Sequence, residues 1–198
     1  MYRRILHHKY FNRRIIALLF ILSCLIIGTL LATRFTYIYF IRGKNNFDRI
    51  IEKAAKRHSV DPCLIKAIIW QESRFEPNAR GNDGEIGLMQ IMREYAGMDW
   101  AEQNAMPLPS ELAIFTPEMN IEIGTWYLAR ALERWKDYKH CIKFALCEYN
   151  AGYSRVKKNL TANKNADILD YIDISSTKEY TISVFNMYQK YSEEKKEK

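Results

Sequence analysis

Apolar positions fall into two regimes along the chain. Ile15 to Thr33 (IIALLFILSCLIIGTLLAT) is 19 residues without a charge. At ~1.5 Å of rise per helical residue, such a run approaches the ~30 Å of a bilayer core. It shows no polar face, unlike a surface helix. Phe35, Tyr37, Tyr39 and Phe40 follow at once, as an interfacial aromatic belt would. The pattern predicts one membrane-spanning signal-anchor with its interfacial segment over 15–41. A cleaved signal peptide would have a shorter apolar core and an A-x-A-like site. Ile21-Leu22-Ser23-Cys24 is a poor lipobox set in mid-run. After a polar linker at 42–46, the spacing becomes helical. Phe47, Ile50, Ile51, Ala54 and Ala55 share one face, and Asp61-Pro62 is an N-cap followed by proline at the first helical position. Leu64, Ile65, Ile68 and Ile69 form the next stripe. Residues 74–86 read as a loop, and a new helix is expected from Gly87 to about Tyr95. Residues 97–115 read as irregular. Thr116-Pro117 opens a helix to about Trp135, with Ile121, Leu128, Leu132 and Trp135 on its buried face. Cys141 to Tyr149 is a further helix, ended by Asn150-Ala151-Gly152. Ser176-x-x-Glu179 reads as a capping box for a last helix to about Tyr191. The expected fold is all-α with room for a small β excursion in the 74–86 loop. One domain spans 47–191, and 192–198 is a charged tail.

Charge changes the picture of partners. The 198 residues carry 30 Lys and Arg against 23 Asp and Glu, a net +7. Six of those charges lie in residues 1–34, as Arg3, Arg4, Lys9, Arg13, Arg14 and Arg34 with no acid. From Asn45 onward the balance is −1. The globular part lacks a general source of affinity for a phosphate backbone, so no nucleic-acid partner is expected. The basic segment 1–14 instead biases the N-terminus to the cytoplasm and the C-terminal domain to the exported side. Cys24 lies in the apolar run. Cys63, Cys141 and Cys147 are an odd set with no spacing that enforces a bridge, so buried free thiols are the simpler reading. No Cys/His spacing suggests a metal, and no glycine-rich phosphate loop is present, so no cofactor is expected.

Glu72 carries the chemistry. It continues the Ile65, Ile68, Ile69 stripe at i+3 and i+4. One reading is a last-turn carboxylate bending into solvent. The other is a desolvated carboxyl with a raised pKa, suited to a general acid. The segments downstream bear on the choice. Ile68-Ile69-Trp70-Gln71-Glu72-Ser73 resembles the Glu-Ser motif of lysozyme-like lytic transglycosylases. Gly87-Leu88-Met89-Gln90-Ile91 resembles the second motif of that family. Thr116-Pro117-Glu118-Met119-Asn120-Ile121, with Gly124 and Tyr127-Leu128, is similar to its third helix. Glu148-Tyr149-Asn150-Ala151-Gly152 and Ser176-Thr177-Lys178-Glu179-Tyr180 are similar to its Tyr-Asn-Ala-Gly motif and closing helix. The series covers about residues 47–190 in the family's order. It looks closest to the soluble lytic transglycosylase branch, related to goose-type lysozyme.

The resemblance implies a helical lysozyme-like domain with a cleft for peptidoglycan glycan strands, on the periplasmic side of a bacterial inner membrane. It implies Glu72 as the single acid/base, cleaving the MurNAc-β-1,4-GlcNAc bond without water to leave a 1,6-anhydromuramic acid end. Tyr149 would hydrogen-bond Glu72 or the substrate acetamido group. Met89, Gln90 and Asn150 would line the cleft, and Tyr180 would close one wall. Ordinary core packing is the competing reading for Met89 and Tyr149. The sequence departs from the family pattern in several places. Glu85 and Glu148 stand where small residues are usual, Gly81 where a hydroxyl residue is common, and Arg93 where Pro is usual. Asp83 or Glu85 as a second carboxylate would suit a hydrolytic muramidase instead. Met92 stands where goose-type lysozymes carry an Asp. A non-catalytic glycan-binding module is the third reading; it would not require a protonatable group at Glu72.

Overall fold

The computed structural model describes residues 18–34, 47–160 and 163–197. The chain divides into two units, residues 1–46 and Phe47 onward. In the first, residues 18–34 form helix α1, with exposed side chains throughout. Among the described residues no helix is long and apolar enough to cross a membrane. The basic segment 1–14, Ile15 to Ala17 of the apolar run, the aromatic belt and the 42–46 linker lie outside the described residues.

The second unit is helical, and local sequence explains its helix ends. Helix α2 (Asp48–His58) has an acid in its first turn and Lys56, Arg57 and His58 in its last, matching the helix dipole. Helix α3 (Pro62–Ser73) is capped by Asp61, whose carboxylate accepts the Cys63 N–H at 2.8 Å. Helix α4 is Met98–Gln103 and α5 is Glu111–Ile114. The first of these follows a π-helical turn, Arg93–Gly97. Thr116 and Pro117 start helix α6 (Pro117–Arg134). Helix α7 (Cys141–Ala151) stops at Gly152, whose φ of +83° suits only glycine. Helix α8 (Tyr153–Lys158) and a 3-10 turn, Ile168–Asp170, lead to helix α9 (Ser175–Lys196).

Three expectations change. No helix starts at Gly87. Ile86 and Ile91 exchange both backbone N–H···O bonds, at 3.0 and 2.9 Å, closing a tight turn that a helix cannot accommodate. With the Arg80–Ile86 bridge this is the β excursion; among the described residues there is no longer strand. The span 97–115 is partly helical, because Trp100, Ala101 and Ile114 are buried and Ser110 caps α5. The capping box at Ser176 does not form. Helix α9 starts two residues earlier than that box implies, at Ser175 behind Ile174 with no side-chain cap, and passes Tyr191 to reach Lys196.

Helix α3 is the centre. Ile65, Ala67, Ile68 and Ile69 have no exposed surface. Within this stretch only Lys66 is charged, and it is paired with Asp48. α9 packs along α3 and α7, α6 packs on α7 and α2, and the shared core runs between them. Side chains also tie α9 to α3 over most of its length. Tyr180 reaches Glu72, Ser183 donates to Gln71 at 2.7 Å, and Tyr188 donates to Asp61 at 3.1 Å.

Candidate active site

The site is built at the C-terminal end of α3. Arg74 and Phe75 adopt left-handed conformations (φ 54° and 66°), so the chain leaves the helix abruptly after Ser73. Ser73 is buried and donates back to the Ile69 carbonyl and across to the Leu88 carbonyl at 2.9 Å. That second bond fixes the 86–91 turn beside Glu72. Glu72 is half-buried, and the Tyr180 hydroxyl donates to its Oε1 at 2.6 Å. Burial pushes the Glu72 carboxyl from its ordinary 4.5 up to about 7; the Tyr180 bond opposes this, and the Glu85 charge adds to it. The negative end of the α3 dipole acts in the same upward direction. Near neutral pH both protonation states are populated, as a group that first gives and then takes a proton requires. The phenols of Tyr149 and Tyr180 are pushed well above their ordinary range, by burial first and the Glu72 charge second. Both therefore remain donors.

Asn120 also holds the turn beside Glu72. Asn120 of α6 has no exposed surface. Its Oδ1 accepts the Met89 N–H at 2.7 Å, and its Nδ2 donates to the carbonyls of Ile86 (2.7 Å) and Ile114 (3.0 Å). Gly87 sits against that amide at φ +73°, and a Cβ there would overlap it. Glycine is thus needed both for backbone conformation and for space. Gly124 leaves room for Met89 in the same way, since a Cβ would come within 2.6 Å of its Sδ.

The expected site residues take unequal places. Met89 does not line the cleft. It is wholly buried, because its side chain fills the space above Gly124, and its backbone makes the polar contacts. Of the two tyrosines, Tyr180 rather than Tyr149 meets Glu72. Tyr180 holds Glu72, whereas Tyr149 donates to the Met89 carbonyl at 3.0 Å and stacks edge-on with Tyr127 at 5.7 Å. Helix α9 crosses α3 and delivers Tyr180 there, a contact across 108 positions of sequence. Gln90 is half-buried at φ +49°, its amide donating to the Gly87 carbonyl at 2.8 Å. Asn150 is exposed, and its Oδ1 accepts from Thr177 at 2.8 Å. Glu148, one of the departures from the family pattern, is an ion-pair residue. It is buried, paired with Arg134, and accepts the Trp135 indole N–H at 2.7 Å. Asn120 was missed as a site-building residue; its signal was a polar side chain on the Ile121, Gly124, Leu128 side of α6. Among the described residues, all four cysteines are unpaired, and no three His, Cys, Asp or Glu side chains converge as metal ligands.

A helical domain with a raised-pKa glutamic acid at the end of its central helix defines the lysozyme-like class. The chain belongs to the transglycosylase SLT domain family, whose model matches residues 49–172. It is 37% identical over 125 residues to membrane-bound lytic murein transglycosylase F of Desulfosudis oleivorans, covering 60% of this chain and 25% of that protein. It is 41% identical over 81 residues to membrane-bound lytic murein transglycosylase C of Edwardsiella ictaluri, covering 40% and 23%. Among solved structures it resembles the lytic transglycosylase Slt of Pseudomonas aeruginosa, determined as an inactive Glu-to-Gln mutant. There the TM-score is 0.66 and the identity 26%, over 74% of this chain and 24% of that one. The 70 kDa soluble lytic transglycosylase of Escherichia coli gives 0.66 and 27%, over 73% and 24%. The chain spans about a quarter of the length of each of these proteins.

Proposed function

We propose that this chain is a membrane-anchored lytic transglycosylase that cleaves the MurNAc-β-1,4-GlcNAc bond of peptidoglycan without water. The observation that carries the reading is Glu72, a half-buried carboxyl with a pKa of about 7, bonded through one oxygen to a buried tyrosine. Protonated Glu72 gives its proton to the glycosidic oxygen as the bond breaks, and the substrate N-acetyl group assists at the anomeric carbon. Ionised Glu72 then takes the proton of the muramic C6 hydroxyl, and the 1,6-anhydro ring closes. The two steps restore the starting protonation state, so one carboxyl suffices. Tyr180 steadies Glu72 in both states. Tyr149, Gln90 and Asn150 contact the glycan. The inactive Glu-to-Gln form of the Pseudomonas aeruginosa relative supports a glutamic acid in this role.

The apolar run Ile15–Thr33 is proposed as the anchor, with the domain on the periplasmic side. The names of the membrane-bound relatives support membrane association. A phosphatase fused after Lys198 should be active in the periplasm, and an inactive fusion would contradict export. The chemistry is tested with purified sacculi. Wild-type protein should release fragments with anhydro ends, and Glu72→Gln should release none. Continued release by that variant would overturn the acid role, and reducing ends would point to a muramidase.

A further inference from the structure

Two residues that depart from the family pattern, Gly81 and Glu85, share one volume. Gly81 is not in the left-handed region, so its backbone conformation does not call for glycine. Space calls for it instead. A Cβ built on Gly81 falls 2.0 Å from Oε2 of Glu85 and 2.9 Å from Oε1 of Gln90, closer than real Cβ contacts come. The Glu85 carboxylate therefore fills the volume that a side chain at position 81 would take. A short loop carries it there. Gly81 N–H donates to the Glu85 carbonyl at 3.0 Å, and Asp83 N–H donates to Glu85 Oε2 at 3.0 Å.

The same two distances bring two acceptors together. Oε2 of Glu85 and Oε1 of Gln90 both lie against one point, so they are within about 5 Å of each other. The Gln90 amide is fixed in this orientation, because its Nε2 donates to the carbonyls of Gly87 at 2.8 Å and Ala79 at 3.4 Å. Among the described residues no group donates to Gln90 Oε1, and no cation pairs with Glu85. The buried side-chain oxygen that lacks a partner is Thr125 Oγ1, so the unpartnered Gln90 Oε1 reaches solvent. Two converging acceptors, one of them charged and both within reach of solvent, match two neighbouring donors on one pyranose ring: a pair of hydroxyls, or a hydroxyl beside an acetamido N–H.

We infer that Glu85 is a specificity-determining residue, which with Gln90 forms an acceptor pair for two adjacent donors of one sugar of the glycan. This rests on the glycan contact proposed for Gln90, which lies in the turn that Ser73 fixes beside Glu72. Glycine at 81 is what admits the carboxylate. A carboxylate accepts such bonds more strongly than the hydroxyl that is common at that position.

The test is a set of full-length variants: Glu85→Ala, Glu85→Gln, Gly81→Ser, and Gly81→Ser combined with Glu85→Ala. Affinity for peptide-free glycan strands is measured by calorimetry with Glu72→Gln also present, so that the strands are not cleaved. With Glu72 intact, kcat and KM are measured for fragment release from sacculi. Glu85→Ala should weaken affinity about tenfold, as loss of a hydrogen bond to a charged group does, and the fall in kcat/KM should come through KM. Glu85→Gln keeps an acceptor and the shape but not the charge, and should weaken affinity about threefold. Gly81→Ser should weaken it as Glu85→Ala does, because the added side chain displaces the carboxylate. The double variant should recover part of the loss, since the introduced hydroxyl then stands in the vacated volume. Unchanged affinity in Glu85→Ala would overturn the proposal, and so would losses that simply add in the double variant. A fall in kcat at unchanged affinity would overturn it too, as the mark of a loosened turn. Glycan binding absent from the parent chain would remove this proposal together with the contact it rests on. Should Glu72→Gln prove active, the acid role fails, while the KM differences among the Glu85 and Gly81 variants still decide the role of Glu85.

Discussion

Replacing Glu72 by Gln should stabilise the protein at pH 8 while removing its activity. An unfolded glutamate releases its proton near 4.5, whereas folded Glu72 keeps its proton up to about 7. Between those values the native state holds more protons than the unfolded state, so the contribution of Glu72 to stability declines as pH rises. It is fully present below 4.5 and lost once pH passes the folded value. Across that window the loss accumulates to about 3 kcal/mol. Against a net stability of ~5–15 kcal/mol this is a large share. Glutamine is neutral at every pH and still offers an oxygen to the Tyr180 hydroxyl. The variant should therefore match wild type at pH 4 and exceed it by about 3 kcal/mol at pH 8, or on the order of 10 °C in Tm. Guanidinium unfolding of both full-length chains in detergent at the two pH values measures this directly. All other titrating groups are common to the pair and cancel. A stability difference that is the same at pH 4 and pH 8 would refute the reasoning, since it would mean that Glu72 ionises in the fold as it does in water.

Tyr180→Phe removes the Tyr180 donor to the Glu72 carboxylate, so the Glu72 pKa should rise and the alkaline limb of the pH profile should move up by about one unit; an unmoved limb would count against that bond. Asn120→Ala leaves the Met89 N–H and the carbonyls of Ile86 and Ile114 without this partner inside the core. The expected cost is about 3 kcal/mol in denaturant unfolding, with a fall in activity as the 86–91 turn loosens. Gly124→Ala sets a methyl group within 2.6 Å of the Met89 sulfur, and overpacking of this kind costs about 1–3 kcal/mol. A thermal midpoint equal to wild type would mean that Met89 is less tightly held than its burial implies.

Much of the helical framework was legible because its signals are local. Asp61-Pro62 and Thr116-Pro117 mark helix starts through bonds that span two or three residues, and both form as expected. The stripe Leu64, Ile65, Ile68, Ile69 is buried as its period required. The capping box at Ser176 failed despite its local logic, because α9 is held by its packing on α3 and α7, which sets its start at Ser175. The stretch from Gly87 was misread as helix because its conformation is imposed from outside. The Asn120 amide and the Ile86–Ile91 pairing override the propensity of Leu88, Met89 and Gln90.

The same division holds for the site. The chain alone determined that Glu72 lies on the apolar side of its helix, that its motifs follow the order of one family, and that the basic excess belongs to the N-terminal segment. These are matters of spacing and count. Only the tertiary structure decided which tyrosine meets Glu72: the motif order suggested Tyr149, and α9 laid along α3 delivers Tyr180 instead. It alone separated Glu148, buried with Arg134 and Trp135, from Glu85, held at the site over Gly81. The pKa of a carboxyl depends on what is packed around it from distant parts of the chain, and a linear sequence does not state those distances.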